Sequence, residues 1–269
     1  MAQARRRPEI TERDYVLEKV TTGLGIAQRS YVAGDFEKTT ASLKMVWEIS
    51  GKSTRSRENV GRQIDLCVED SASSFGTEPM TDFLGVKFAA MAGIAKELNP
   101  SRAKETVVEA CRAIDREADK LIVQGSNAEA AVLWEVAGLT MQSLERDLIP
   151  TGTTFNSKIL LNAAAGAYNK AAQEEQTKGN HLQEAEYIAR EAVVAVVAGL
   201  DPKNIERRLH PFSDLVQHSE IPNYHVTKDD VEAALVRSQR RVDRLDGHLN
   251  FLSDDRVYER LDRMVGKEV

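Results

Sequence analysis

The amino-acid sequence predicts an all-α protein in which about ten helices form irregular antiparallel hairpins. Apolar residues recur every three to four positions along most of the chain, which is the period of helices with one buried face. Only 16 of the 269 residues are glycine and 7 are proline, so few positions interrupt a helix. Aromatic residues make up 6% of the chain, which leaves little material for an all-β core. An ordinary helix bundle is the alternative architecture.

Turn and capping residues divide this periodicity into ten helices. A Thr-x-x-Asp pattern begins two of them, at Thr11 and Thr227. Gly34-Asp35 and Gln124-Gly125-Ser126 mark tight turns, and Ser101 is expected to cap the helix that follows it. The predicted helices span about 11–33, 36–49, 57–71, 79–98, 101–123, 127–148, 155–178, 181–199, 227–249 and 257–265.

The distribution of proline predicts three parts in the chain. Three prolines lie close together, among Asn and Ser, at Pro202, Pro211 and Pro222. This composition is typical of a loop-rich connector. We therefore expect a helical-hairpin domain over residues 1–200, a connector over 201–226 and a C-terminal helical segment over 227–269.

The first helix of the C-terminal segment has apolar residues at a heptad-like spacing. They are Val231, Leu235, Val242, Leu245 and Leu249, with Ser238 at the remaining position of the seam. Because the seam lasts only about three heptads, we expect it to pack within the chain. The densest basic cluster, Arg237, Arg240, Arg241 and Arg244, is expected on the opposite, mostly solvated face. Contact with an acidic partner or with phosphate is a second interpretation of this cluster.

Charge and composition narrow the classes of function. The net charge of −6 argues against nucleic acid or an anionic membrane surface as the partner. The longest apolar run, 192–200, is too short to span a bilayer, and the arginine-containing N-terminus lacks the apolar region of a secretory signal. Cys67 and Cys111 both lie in amphipathic helical patterns, which favours buried thiols in a reducing compartment. We expect a soluble cytoplasmic protein without membrane insertion.

The segment SGKST at residues 50–54 superficially resembles a phosphate-binding loop. Such a loop has the pattern G-x-x-x-x-G-K-[ST] after a strand. Here Gly51-Lys52 would need glycine at position 46, where the chain has Val46, and a helical pattern precedes it. We therefore predict no nucleotide site, and expect Gly51 to end its helix in a left-handed conformation.

No other pattern predicts catalysis, a cofactor or a metal. His210, His218 and His225 lie in the connector, but no short ligand spacing links them. The acidic pairs Asp229-Asp230 and Asp254-Asp255 are expected to complement helix N-termini. Catalytic, cofactor and metal residues are all predicted to be absent.

Three turns have similar sequences when Gly34, Gly125 and Asn180 are taken as a common position. Small residues or valine lie five and twelve positions after this common position, and mostly larger apolar residues lie nine positions after it. The residues at five are Thr39, Ala130 and Ala185, those at nine are Leu43, Trp134 and Ala189, and those at twelve are Val46, Ala137 and Ala192.

This pattern resembles the tetratricopeptide repeat. Gly34-Asp35-Phe36-Glu37-Lys38 matches the family's turn, and Ala27 and Ala118 match its small residue seven positions earlier, whereas Gln173 does not. The family repeats about every 34 residues. The turns here are 91 and 55 residues apart, so the resemblance implies an irregular arrangement or α-solenoid.

The resemblance implies a partner-binding groove lined by the first helix of each hairpin. Residues carried over in this way are Gln28, Tyr31, Arg112, Asp119, Lys170 and Glu174, and Arg237 and Arg241 join them from the basic cluster. The predicted function is a non-catalytic scaffold that binds a protein or peptide partner, with homo-oligomerisation as a further possibility. One alternative is a structural subunit of a viral or phage shell or a nucleoprotein. Another is an all-α enzyme without a recognisable motif.

Overall fold

The computed structural model describes most of the chain, namely residues 12–51, 54–78, 82–148, 154–200 and 226–250. These residues form nine α-helices and one 3-10 turn and contain no strand, which confirms the all-α prediction for this part of the chain. The helices are α1 Glu12–Val32, α2 Phe36–Ser50, α3 Thr54–Ser73, α4 Asp82–Leu98, α5 Pro100–Val123, α6 Asn127–Asp147, α7 Ser157–Lys178, α8 His181–Val197 and α9 Lys228–Leu249, with the 3-10 turn at Ser74–Gly76. The predicted connector, the cap at Thr11 and the last predicted helix lie outside the described residues. The three-part division of the chain therefore stays a prediction.

The chain divides into two compact units, and the boundary between them falls within α3. Of the described residues, the first unit comprises 12–51 and 54–66, and the second comprises those from 67 to 250. In the first unit, α1 and α2 form a hairpin. Val46 of α2 is completely buried there, as expected of a hairpin core residue. A Cβ atom on Gly23 of α1 would lie only 2.2 Å from Cγ2 of Val46, so the missing side chain lets the two helices approach.

Three of the helical hairpins have the same turn. Gly34, Gly125 and Gly179 adopt left-handed backbone angles, with φ of 75°, 81° and 73°. The amide of the residue after each glycine donates to a carbonyl five residues earlier, at 2.9 Å in all three turns. This is the helix ending that favours glycine, because a Cβ atom would be strained at positive φ.

The third turn corrects the sequence alignment by one residue. The equivalent of Gly34 is Gly179 and not Asn180, which instead occupies the N-cap position of α8. The small residue seven positions earlier then becomes Ala172, which is buried as Ala27 and Ala118 are. The residues five and twelve positions after Gly179 are Glu184 and Glu191. The third hairpin therefore has two buried carboxylates where the other two hairpins have small residues or valine. The tetratricopeptide resemblance itself stays a prediction.

In the second unit, two hairpins pack in series. They are α5–α6 and α7–α8, and α6 packs against α7. Helix α4 packs on α5 and α6, and α9 packs on α8, α4 and α6, which confirms that the heptad-like seam is internal. The buried residues of this seam are Val231, Ala234, Ser238, Val242, Leu245 and Leu249. Ala234 thus takes the buried position expected for Leu235, which is only half-buried.

The C-terminal end of α9 is held close against α4. A Cβ atom on Gly93 would lie 2.7 Å from the carbonyl oxygen of His248 and 2.8 Å from that of Leu249. One turn further along α4, the buried Lys96 ammonium donates to Asn250 at 2.8 Å, and it donates likewise to Ser143 and Asp147. These contacts fix one end of α9 and thereby the position of its arginines.

Two of the three capping predictions that fall on described residues are wrong. The box between Thr227 and Asp230 is present, because each side chain accepts a hydrogen bond from the other's backbone amide. Ser101, by contrast, lies inside α5. The helix already begins at Pro100, whose missing N–H costs nothing in the first turn. Gly51 has φ of −55° and so is right-handed, since the chain turns almost directly from α2 into α3.

Candidate functional site

The four arginines of α9 lie together with one arginine of α8 around a cleft of about 310 Å³. We call it the arginine cleft and define it by its five arginines, Arg190, Arg237, Arg240, Arg241 and Arg244. Helices α4, α8 and α9 supply the remaining lining residues, which are Asp82, Gly85, Val86, Glu186, Ser238 and Leu245. Because Arg240, Arg241 and Arg244 follow Arg237 at three, four and seven positions, one side of the helix presents all four to the cleft.

Arg241 is largely buried, which contradicts its predicted place on the solvated face. Its side chain is only 12% exposed. The reason is helical geometry: Arg241 is three residues after Ser238 and four before Leu245, so it adjoins the buried seam instead of opposing it. Its Nε donates to Oε1 of Glu135 on α6 at 3.2 Å, and its Nη1 pairs with Asp82 at the start of α4. Arg241 thus joins α9 to two other helices beneath the cleft.

Glu135 is buried and bonded at both carboxylate oxygens. Oε2 accepts a hydrogen bond from the hydroxyl of Tyr168, which is completely buried on α7. Burial, together with the charge of Glu135, raises the pKa of Tyr168 well above its ordinary value. Burial is the largest single effect on the pKa of Arg241 and would lower it, but the interactions with Glu135, Tyr168 and Asp82 together outweigh burial and the net shift is upward. The phenol therefore stays neutral and the guanidinium stays charged, which is the pairing that a buried carboxylate requires.

A second carboxylate, Glu186 of α8, bridges two arginines of the cleft. Its Oε2 accepts hydrogen bonds from Nε and Nη2 of Arg237 at 3.2 and 2.8 Å. Its Oε1 lies 3.5 Å from Nε of Arg190, an ion-pair distance. That Nε atom is buried and donates no hydrogen bond within the described part of the chain. The Arg190 guanidinium also lies 5.9 Å from the ring centre of Tyr168.

Arg240 and Arg244 complete the cleft one helical turn apart. Both are exposed, and neither makes an ion pair with another residue that the structure describes. Including Glu135 beneath it, the cleft holds five guanidinium groups against three carboxylates. A surplus of two positive charges is thus concentrated on a chain whose net charge is −6. Guanidinium groups remain protonated in proteins, so the arrangement is suited to holding an anion.

The structure places Arg237 and Arg241 of the predicted partner-binding set together in this cleft. Gln28 and Tyr31 belong to α1 in the first unit, where Gln28 is exposed and Tyr31 meets Phe36 edge to face. These two residues therefore belong to the first unit, whereas the residues that line the cleft belong to the second.

The other four predicted residues lie on two helices that both pack against α6. Arg112 and Asp119 are exposed on α5, and Arg112 pairs with Glu109 and lies 5.5 Å from the ring centre of Phe155. On α7, Lys170 is exposed, whereas Glu174 accepts a hydrogen bond from the Asn127 side chain at 2.5 Å. Arg112 lines a second cleft of about 400 Å³, with Lys104, Glu105, Val108, Glu109, Met141, Thr154 and Phe155.

Sequence reasoning missed Glu135, Tyr168 and Arg190. A weak signal existed for Glu135, since it is the only charged residue within the apolar run 130–139 of α6. A carboxylate in that position needs a cationic partner from elsewhere in the chain. Nothing in the sequence identifies which of the many arginines supplies it.

Both cysteines are thiols, without a disulfide. Burial raises the pKa of Cys67 to about 11, with a further contribution from the charge of Asp70. Burial also raises the pKa of Cys111, which is completely buried as predicted. Cys67 is only half-buried. A raised pKa makes a thiol less reactive at neutral pH.

Two negative findings apply to the described residues alone. Among them, no three His, Cys, Asp or Glu side chains converge where they could hold a metal ion. None of the described helices is long and apolar enough to cross a membrane. His210, His218 and His225 lie outside the described residues.

No family model, curated protein or solved structure matches the chain.

Proposed function

We propose that the protein is a non-catalytic helical scaffold that binds an acidic segment of a partner protein at the arginine cleft. The surplus of guanidinium groups over carboxylates in the cleft supports this proposal most directly. Because the net charge of the chain is −6, the surface around the cleft does not attract anions in general. The arginines of the cleft therefore provide a localised site for an anionic partner.

The cleft is preorganised for an anionic partner. Arg237 and Arg241 are already held by Glu186, Glu135 and Asp82, so they lose little freedom when a ligand arrives. Arg240 and Arg244 keep their donors available, and such side chains form charge-assisted hydrogen bonds with carboxylates. Guanidinium groups bind and orient anions but do not exchange protons at neutral pH, which favours binding over catalysis.

Fluorescence anisotropy with a labelled peptide of alternating glutamate and glycine tests the proposal. We expect binding that weakens with added salt, and a loss of about tenfold or more in affinity for the double variant Arg240→Glu/Arg244→Glu. Both positions are exposed, so the variant is expected to keep the wild-type melting temperature.

Arg116→Glu is the control for a single charge reversal and is compared with Arg240→Glu alone, because Arg116 is an exposed arginine on α5 that does not line the cleft. Its affinity for the peptide should stay within about twofold of the wild type. Equal losses in Arg116→Glu and Arg240→Glu would show that net charge, and not the cleft, attracts the peptide.

A further inference from the structure

We infer that the arginine cleft recognises a phosphoryl group, carried on a side chain of the partner segment, in preference to a plain carboxylate. This inference rests on the proposed function and names the ligand chemistry of the same site. It follows from the charge balance of the cleft, from the donors that remain available in it, and from the carboxylates that already occupy part of it.

The charge surplus matches a phosphoryl group better than a carboxylate. Five guanidinium groups and the carboxylates of Asp82, Glu135 and Glu186 leave two positive charges uncompensated. A phosphorylated side chain has a charge of about −1.5 to −2 at neutral pH, whereas a carboxylate has one negative charge. A single phosphoryl group therefore neutralises the cleft, and a single carboxylate leaves it about half compensated.

The donors of the cleft come from two walls. Arg190 of α8 lines one wall, where it shares its charge with Glu186, whose Oε1 lies 3.5 Å from the Arg190 Nε atom. Arg240 and Arg244 belong to α9 and have no ion-pair partner in the part of the chain that the structure describes. A tetrahedral group with three terminal oxygens accepts hydrogen bonds from several directions at once, whereas a carboxylate has two oxygens in one plane.

The carboxylates that already lie in the cleft compete with a ligand for the guanidinium groups. Glu186 lies between Arg190 and Arg237, and Asp82 pairs with Arg241. A ligand carboxylate would compete with groups of its own charge and geometry for these guanidinium groups. A phosphoryl group has a higher charge and more acceptor oxygens, so it gains more from the same donors than the internal carboxylates do.

A phosphorylated protein segment fits the cleft better than nucleic acid. Nucleic-acid binding requires basic residues that follow an extended phosphate backbone, and affinity then depends steeply on salt. Here the arginines surround one cleft of about 310 Å³, with Asp82 and Glu186 in its lining. The surplus charge suffices for one phosphoryl group.

The test compares four labelled probes on the full-length protein by fluorescence anisotropy. Three are glycine-serine peptides with a central phosphoserine, glutamate or serine, and the fourth is a single-stranded oligothymidylate. We expect the phosphoserine peptide to bind at least about tenfold more tightly than the glutamate peptide, and the serine peptide and oligothymidylate to bind more weakly still.

The substitution Arg240→Lys separates a phosphoryl site from simple charge attraction. Lysine keeps the positive charge but lacks the two-pronged donor geometry of arginine. The preference for phosphoserine over glutamate should fall by about threefold or more, whereas the control Arg116→Lys should leave it unchanged. An unchanged preference in both variants would overturn the role assigned to the guanidinium geometry.

The outcomes separate this inference from the proposed function. If the glutamate peptide binds as tightly as the phosphoserine peptide, and both require Arg240 and Arg244, the phosphoryl inference is overturned and the acidic-segment proposal stands. If neither acidic peptide binds, both are overturned. If oligothymidylate binds more tightly than the phosphopeptide, the site serves nucleic acid and both are again overturned.

Discussion

Arg241 of α9 and Glu135 of α6 form a buried ion pair, with Nε of the arginine 3.2 Å from Oε1 of the glutamate. The two residues are 106 positions apart in the sequence. Tyr168 bonds the other oxygen of Glu135, and Asp82 pairs with Arg241, so the pair connects four helices. It forms the floor of the arginine cleft and determines where α9 presents its other arginines.

Removing Arg241 should be far more costly than removing its exposed neighbour. The substitution Arg241→Ala leaves the Glu135 carboxylate buried without its cation, and the loss in unfolding free energy should be about 3–5 kcal/mol. Arg240→Ala removes the same side chain from an exposed position one residue earlier, and should change stability by about 0.5 kcal/mol or less. Urea unfolding followed by circular dichroism measures both. Equal losses in the two variants would contradict the buried pair.

The hydroxyl of Tyr168 should contribute stability at neutral pH that is lost in alkali. Tyr168→Phe removes the hydrogen bond to Glu135, and the cost near neutral pH should be about 1–3 kcal/mol. The folded-state pKa of Tyr168 lies above its ordinary value of 10.0. The stabilisation is therefore complete below pH 10 and falls as the pH rises toward the folded-state pKa, because only the unfolded chain ionises there.

Melting temperatures of the wild type and Tyr168→Phe at two pH values check this linkage. The difference between the two proteins should be largest near pH 8 and clearly smaller near about pH 11. Because all other titrating groups are common to both proteins, the difference reports Tyr168. A gap that stays constant or widens with pH would show that the hydroxyl is not buried in its neutral form.

Gly93 should be required for the close contact between α4 and the end of α9. In Gly93→Ala the new methyl group would lie under 3 Å from two backbone oxygens, at His248 and Leu249. Backbone atoms cannot move aside as a flexible side chain does, so the loss should be about 1–3 kcal/mol despite the better helix propensity of alanine. Thermal unfolding measures the loss, and amide hydrogen exchange should localise it to α9.

Gly247→Ala is the matched control for this substitution, since it lies in α9 with nothing within 4 Å of the added Cβ atom. Its effect should be neutral or stabilising by up to about 1 kcal/mol. If Gly93→Ala behaves in the same way, α9 does not approach α4 as closely as described.

Gly23 and Val46 should be coupled in the α1–α2 hairpin. Gly23→Ala places a methyl group against Cγ2 of Val46, which overpacks the hairpin and should cost about 1–3 kcal/mol. In a Val46→Ala background the space is vacated, so the same substitution should cost less or even stabilise. The double-mutant cycle should give a coupling of about 0.5–3 kcal/mol. Additive effects would argue against the contact.

Local features of the fold could be predicted from the sequence because their determinants are close together in the chain. Gly34-Asp35 and Gly125-Ser126 form the expected turns, and Thr227 and Asp230 form the expected capping box. The sequence pattern predicts the third turn one residue late, because Gly179 and Asn180 both suit a helix end. Only the positive φ of Gly179 in the structure shows which of the two is the turn residue. The burial of Glu184 and Glu191 likewise becomes visible only in the structure.

By itself the sequence determined the helical class, most helix boundaries and the apolar seam of α9, since helical periodicity and capping act over a few residues. The tertiary structure alone decided that Arg241 lies beside that seam and meets Glu135, and that Arg190 joins the α9 arginines around one cleft. The physical reason is that burying a carboxylate on α6 creates a demand for a cation without specifying its source. Which arginine meets that demand depends on how α4, α6, α8 and α9 pack, and packing is a property of the whole unit.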